Sequence, residues 1–360
     1  MSRRLPRASG YFRTDYVQEQ RLLQTRLERV SAVVFGLALI GFPFVASPFQ
    51  IDLASQVFLA SVGALSLMLL TGYAGQISLG HAGLLAAGAF TAGILFKEFG
   101  TPFWITLPAA ALVGGLLGVV FGLPSLRLRG LYLAVSTLAL HFVVVYVGGE
   151  YETKRGYSTG IVIDPPSIAG FEIVSPRVWY FVLLAAVLLT LLGCINLLRS
   201  RTGRAWRAIQ SHETVAEALG ISISGYKLLA FVISSAITAV AGALFAYYRG
   251  FVSIEAFSLF LTIQYVAMII IGGMGSLLGA LLGALFVTIF PYVIESVLGA
   301  LPGADRYAGV LFAVNYAAFG LVMILFLVFE PLGLVGIWRR IQSWFLLWPF
   351  KHRPISGSGR

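Results

Sequence analysis

VWYFVLLAAVLLTLLGCINLL, residues 178–198, holds no charged side chain and runs straight into RSRTGR at 199–204. A helix of about 20 apolar residues crosses the roughly 30 Å of hydrocarbon in a bilayer, and a basic cluster at its end marks the side on which it stops. Working outward, runs of similar character recur along the chain. They predict ten helices at 30–48, 53–71, 80–97, 102–123, 131–148, 178–198, 228–248, 258–272, 276–297 and 308–329, the eighth being short. With 58% hydrophobic and 11% charged residues over 360 positions, a soluble chain would lack the charged faces its helices need. The expected class is therefore an all-α polytopic membrane protein. Cys194, the single cysteine, lies inside the quoted run, so no intrachain disulfide forms.

The basic residues orient the helices. With the amino terminus inside, the arginines before Val30, then Arg127 and Arg129, then Arg199, Arg201, Arg204, Arg207 and Lys227, and finally Arg339, Arg340, Lys351, Arg353 and Arg360 share one side. Lys97, Lys154, Arg155, Arg177, Arg249 and Arg306 fall on the other. The imbalance places both termini in the cytoplasm. The net charge of +10 is then topological, and its spread through loops excludes a nucleic-acid face. Three segments follow: a basic cytoplasmic stretch at 1–29, a transmembrane domain at 30–338 and a cytoplasmic tail at 339–360. The first of these is polar and arginine-rich and does not read as a cleavable signal peptide.

The expected helices carry no Asp, Lys or Arg in their interiors, and Glu295 is the acidic residue found within one. A charge at the bilayer centre costs about 2.5–3.5 kcal/mol on insertion scales, and ion-coupled carriers keep such residues for use. Their scarcity weakens an ion-coupled or channel reading. No glycine-rich phosphate loop precedes any lysine, and His81, His141, His212 and His352 are too scattered to form a metal cluster. No catalytic constellation, metal site or bound cofactor is expected, so any ATP that drives this chain is hydrolysed by another subunit.

Two segments break the apolar pattern. GYAGQISLGHAGLL, residues 72–85, puts glycines, a glutamine, a serine and a histidine at membrane depth. Backbone leaves helical form there only where protein or a water-filled cavity satisfies it. Gly72, Gly75 and Gly80 permit the dihedrals of a break, while Gln76, Ser78 and His81 offer polar groups to a translocation path. The alternative is that these glycines are small-residue packing contacts. The second segment, residues 199–227, reads as one amphipathic helix over about 17 residues, capped at Thr202 and ended by Gly220. Trp206, Ile209, Ala216 and Leu219 lie on one side with Glu213 interrupting them, and Arg207, Gln210, Thr214 and Glu217 on another. Such a helix either docks a partner or rests on membrane lipid.

The second segment resembles the coupling loop of permease subunits in ATP-binding-cassette importers, of the LivM-type branched-chain amino acid family. GYAGQISLGHAGLLAAGAFTAGIL at 72–95, LRLRGLYLAVSTLAL at 126–140, RTGRAWRAIQSHETVAEALGISISGYKLLAF at 201–231 and IGGMGSLLGALLGALF at 271–286 carry the resemblance. Thr214, Val215 and Ala216 stand where importers generally have an EAA triplet. The resemblance implies a homologous LivH-like permease partner, two ATPase subunits and an extracytoplasmic binding protein, in a bacterial plasma membrane. It implies import of branched-chain amino acids, with urea or a short amide as the same-family alternative. Trp206, Ile209, Glu213, Ala216, Glu217 and Gly220 would form the ATPase-coupling loop. The IGGMGS break at Gly272, Gly273 and Gly275 falls on the cytoplasmic side of the expected topology and reads as a gate or a ligand site. Gly72, Gly75 and Gly83 also recur as Gly272, Gly275 and Gly283. The outer loop at 149–176, with Glu150, Glu152, Lys154, Arg155 and Asp164, is expected to be a solvated connection or a contact for the binding protein.

Overall fold

The computed structural model describes residues 26–299, apart from 129, 158–159 and 169–170, and residues 311–347, apart from 331. Most of the expected segment 1–29, the end of the tail, and Arg129 and Arg306 lie outside the described residues. Ten apolar helices stand near their expected positions: α1 Arg26–Val45, α2 Pro48–Leu67, α3 His81–Phe99, α4 Phe103–Gly122, α5 Leu131–Arg155, α6 Pro176–Arg199, α9 Ile223–Arg249, α10 Leu259–Gly272, α11 Leu277–Gly299 and α12 Leu311–Phe329. Between α6 and α9 lie α7 Arg201–Ser211 and α8 Glu213–Ala218, and α13 Gly333–Leu347 follows α12. The fold is that of an all-α, multi-pass membrane protein.

Not every one of the ten helices meets the length and composition of a membrane span by itself. Among the described residues seven helices are long and apolar enough to cross a membrane, and an eighth arises if Tyr316–Phe329 and Gly333–Gln342, bent by 52°, act as one. Val33–Val45 and Leu259–Gly272 are shorter apolar helices. Apolar composition marked these two segments, but composition does not report where the backbone turns.

Among the described elements, α9 packs most closely against α4 and α3. A Cβ at Gly88 of α3 would run into the Ala239 carbonyl of α9, and one at Gly242 of α9 into the Leu85 carbonyl of α3. Gly114 and Gly118 of α4 are likewise packed against Ser235 and Val232. Small residues let helix backbones touch where apolar exclusion from water supplies no drive. Hydroxyls add to these contacts. Ser66 and Thr238 share a hydrogen bond of 2.8 Å, Ser234 donates to the Ser66 carbonyl at 2.8 Å, and Thr106 pairs with Tyr247 at 2.9 Å. Large apolar side chains such as Leu112, Val143, Leu189 and Val328 face outward, as a lipid-solvated surface requires.

Charged residues are nearer the helices than expected. Asp52 lies on α2 because Ser47 and Gln50 form a capping box that starts this helix at Pro48, five residues before the expected boundary. Lys227 and Arg249 likewise belong to α9. The outer loop is also shorter, since α5 continues to Arg155. Glu152 is buried there, and its Oε1 accepts from the Ile254 amide at 3.1 Å. Beyond it, β1 Ile161–Val162 pairs antiparallel with β4 Phe251–Val252, and β2 Ser167–Ile168 with β3 Phe171–Glu172. This loop is pinned to the helix ends rather than merely solvated.

Candidate functional site

The first break begins inside a helix. After Leu67 the chain widens into a π-helical turn, Met68–Tyr73, in which the Ala74 amide donates to Leu69 and the Gln76 amide to Leu70, both at 3.0 Å. Gly75 takes φ +68°, a conformation that L side chains disfavour. The Thr71 hydroxyl donates to the Gln76 carbonyl at 3.0 Å and closes the turn. Helix resumes at His81, and threonines from two other helices satisfy amides at its start. Thr137 of α5 accepts from Leu79 at 2.9 Å, and Thr262 of α10 accepts from Ala82 at 3.0 Å. Sequence reasoning missed both threonines, which are unremarkable polar residues within apolar runs.

The polar groups expected to face a cavity are instead enclosed. Gln76, Ser78 and His81 are all about 2% exposed or less. Gln76 Nε2 donates to the Lys227 carbonyl at 3.1 Å, Ser78 accepts from Gly80 at 3.3 Å, and the His81 ring meets Tyr265 at 4.7 Å between centroids. Among the described residues, Gln76 Oε1 and His81 Nε2 have no hydrogen-bond partner. Gly80 is packed against Phe121 and the Thr137 carbonyl. The glycines thus serve close packing as well as the break.

The second glycine set stands beside the first. A Cβ on Gly72 would lie 3.0 Å from the Gly275 amide nitrogen. The recurrence at 200-residue spacing is therefore a spatial apposition. Gly273 and Gly275 take φ +113° and +76°, turning the chain from α10 into α11, while Gly272 is pressed against Gly279 and Gly283. Gly333, at the start of α13, backs onto Gly273. The sequence pattern implies only loop and tail here, whereas the chain forms α13.

The segment joining α6 to α9 completes the group, with corrections. It forms two helices broken at His212, whose extended backbone, φ −155° and ψ 104°, interrupts the expected continuous helix. Ser200 caps α7 by accepting from the Thr202 amide, which displaces Thr202 from that role. Gly220 ends the segment at φ +80°, as expected. Trp206, Ile209 and Ala216 are buried within this chain, whereas Leu219, expected on the same stripe, is 74% exposed. Trp206 Nε1 donates to the Tyr226 carbonyl at 2.9 Å, Gln210 Nε2 donates to the Gly72 carbonyl at 2.7 Å, and Lys227 Nζ pairs with Glu213 Oε1 at 2.6 Å. Glu217 remains exposed beside Val215.

The break, the expected gate and the amphipathic segment thus form one contiguous assembly at one end of the bundle. It joins a surface element to two interruptions of apolar helices. Among the described residues no group of His, Cys, Asp or Glu is placed to hold a metal ion.

Residues 50–328 match the family model for the permease component of branched-chain amino acid transport systems. The chain is 34% identical over 261 residues to the high-affinity branched-chain amino acid transport system permease protein LivM of Salmonella typhimurium strain LT2, covering 66% of this chain and 61% of that protein. It is 34% identical over 278 residues to the LivM protein of Escherichia coli strain K12, covering 71% and 65%. It is 28% identical over 241 residues to a probable LivM permease of Methanocaldococcus jannaschii, covering 63% and 66%. The chain thus spans less than two thirds of the length of these relatives. No solved structure matches it.

Proposed function

The chain belongs to the family of permease components of branched-chain amino acid transport systems, and from that premise we propose that it forms part of the translocation path of an ATP-driven importer. The substrate class is the branched-chain amino acids, the class named for its relatives. A homologous permease, two ATPase subunits and an extracytoplasmic binding protein complete the machine, which sits in the bacterial inner membrane. ATP is bound and hydrolysed by the partners, and this chain performs transport without covalent chemistry.

The observation that carries the reading is the Gln210–Gly72 hydrogen bond. Because α7 is fastened to the π-helical turn, a displacement of α7 and α8 reaches the break directly. The exposed Val215, Glu217 and Leu219 offer the ATPase its contact, while Trp206, Ile209 and Ala216 root the segment in the permease. Arg199, Arg201, Arg204 and Arg207 gather at this end, which supports its cytoplasmic placement together with both termini. Alternating access then consists of the ATPases closing, α7 and α8 moving with them, and the Gly72 and Gly275 turns shifting past each other. Gln76, Ser78 and His81 are enclosed in the present state and would meet the path when the break opens.

Uptake of labelled leucine by cells with and without this chain, with excess unlabelled valine or urea, tests the reading. Loss of uptake on deletion with competition by valine alone supports it. Competition by urea instead moves the substrate to urea or short amides. Uptake that persists without any ATPase partner would identify an ion-coupled carrier or channel. Gln76→Ala or His81→Ala, expressed normally yet transporting like the unaltered chain, would remove these residues from the path.

A further inference from the structure

At the end of the bundle opposite α7 and α8, a cleft of about 350 Å³ opens between the start of α2, the start of α6 and the end of α9. This volume lies within the range of small-ligand sites, about 300–1,000 Å³. Its walls are mainly apolar and aromatic, including Ile163, Val174, Trp179 and Tyr247. Two charged residues interrupt them, Asp52 and Arg249.

The charges lie in one cleft yet form no ion pair, and among the described residues neither is paired elsewhere. Tyr248 stands between them. Its hydroxyl donates to Asp52 Oδ1, and the Arg249 guanidinium carbon lies 5.9 Å from its ring centroid. Gln56 Nε2 donates to Asp52 Oδ2 at 2.7 Å, and Tyr292 donates to Gln56 Oε1 at 3.2 Å, fixing the amide. Each Asp52 oxygen therefore holds one neutral donor and retains further accepting capacity toward an ammonium group. Arg249, exposed at the rim, offers a planar fork suited to a carboxylate. An aliphatic side chain would rest on the apolar wall.

We propose that this cleft is a binding site for a zwitterionic amino acid with an aliphatic side chain, Asp52 receiving its ammonium and Arg249 its carboxylate. The inference rests on the transport reading above and gives it a specific station at the end remote from the coupling segment. Tyr248 sets the spacing of the two charges, and Val174, 60% exposed at the mouth, controls access. A solute with a single charge satisfies half of the site.

The test is equilibrium binding of labelled leucine to the full-length chain, purified with the subunits that accompany it, in lipid nanodiscs without binding protein. Competitors are valine, isoamylamine, which lacks the carboxylate, and isocaproate, which lacks the ammonium. Saturable binding displaced by valine and about tenfold less well by either singly charged analogue is expected, tenfold being about 1.4 kcal/mol. Val174→Trp fills the mouth from an exposed position and should weaken leucine about tenfold with an unchanged melting temperature. Arg249→Gln should abolish the preference for leucine over isoamylamine while leaving that over isocaproate. Unaltered leucine affinity in both variants, or no saturable binding by the unaltered chain, overturns the site. Leucine uptake in cells lacking other leucine importers separates the two readings. If uptake requires the chain while the variants bind normally, the cleft fails and the transport reading stands. If uptake does not require the chain, both fall.

Discussion

Gln210 Nε2 donates to the Gly72 carbonyl at 2.7 Å, joining positions 138 residues apart. In an uninterrupted α-helix that carbonyl would accept from the Gln76 amide, but the π-helical turn sends this amide to Leu70 instead. The widened turn therefore releases an acceptor, and α7 supplies the donor. A Cβ on Gly75, at φ +68°, would lie 3.2–3.5 Å from the Gln210 backbone and side chain, so the helix sits directly over the break.

Gln210→Ala removes the donor and leaves the carbonyl to partial solvation. An unsatisfied acceptor costs about 1–3 kcal/mol when buried, and this contact is part-buried, so the lower half of that range applies. Transport should fall about fivefold or more with normal expression, and Gln210→Glu, which replaces the donor by an acceptor, should fall further. Uptake normalised to membrane protein checks both. Equal transport in Gln210→Glu and the unaltered chain would show that the contact carries no motion.

Lys227 and Glu213 form a second tie, with side chains 9% and 27% exposed. Removing one member of a buried pair strands the other, whereas removing both relieves the conflict. With Glu213 partly solvated, Lys227→Met should destabilise by about 1–3 kcal/mol, and adding Glu213→Gln should recover part of that loss. Gln76 binds the Lys227 backbone carbonyl, so its contact survives both substitutions. A double-mutant cycle from thermal unfolding in detergent decides the matter, and strictly additive losses would deny the coupling.

Ala216 and Val215 are adjacent yet respond to different neighbours. Ala216 is 1% exposed and Val215 is 55% exposed. Ala216→Asp should therefore lower folding yield of the permease itself, because an unpaired buried charge is costly. Val215→Asp should preserve yield and reduce recovery of the ATPase with the purified chain. Co-purification of variants expressed to equal levels reads this difference. A Val215→Asp chain that retains its ATPase in full would move the docking surface elsewhere.

Helix identity and approximate position were legible because apolar runs such as 178–198 are long and chemically uniform. The end of a run was less legible. Asp52 entered α2 through a capping box that a hydropathy reading ignores, and His212 divided a helix whose side-chain pattern continued through it. The apolar stripe of Trp206, Ile209 and Ala216 was recognisable, but its partner was not, since amphipathicity states that a face is covered and not by which chain. The apposition of Gly72 with Gly275, and the caps from Thr137 and Thr262, required the tertiary arrangement itself.

The helix crossing at Gly88 and Gly242 makes the packing role of glycine directly measurable. A Cβ at Gly242 would strike the Leu85 carbonyl, which is backbone and cannot rotate away. A Cβ at Gly193, within α6, would meet nothing within 4 Å among the described residues. Alanine is the better helix former by about 1 kcal/mol, so Gly193→Ala should be neutral or slightly stabilising. At Gly242 the same gain in propensity is opposed by separation of α3 from α9. Overpacking of this kind costs about 1–3 kcal/mol or more, so Gly242→Ala should lower both the melting temperature and the folded yield. Matched melting curves for the two variants would decide it, and indistinguishable curves would mean that α3 and α9 do not approach as closely in the membrane as they do here.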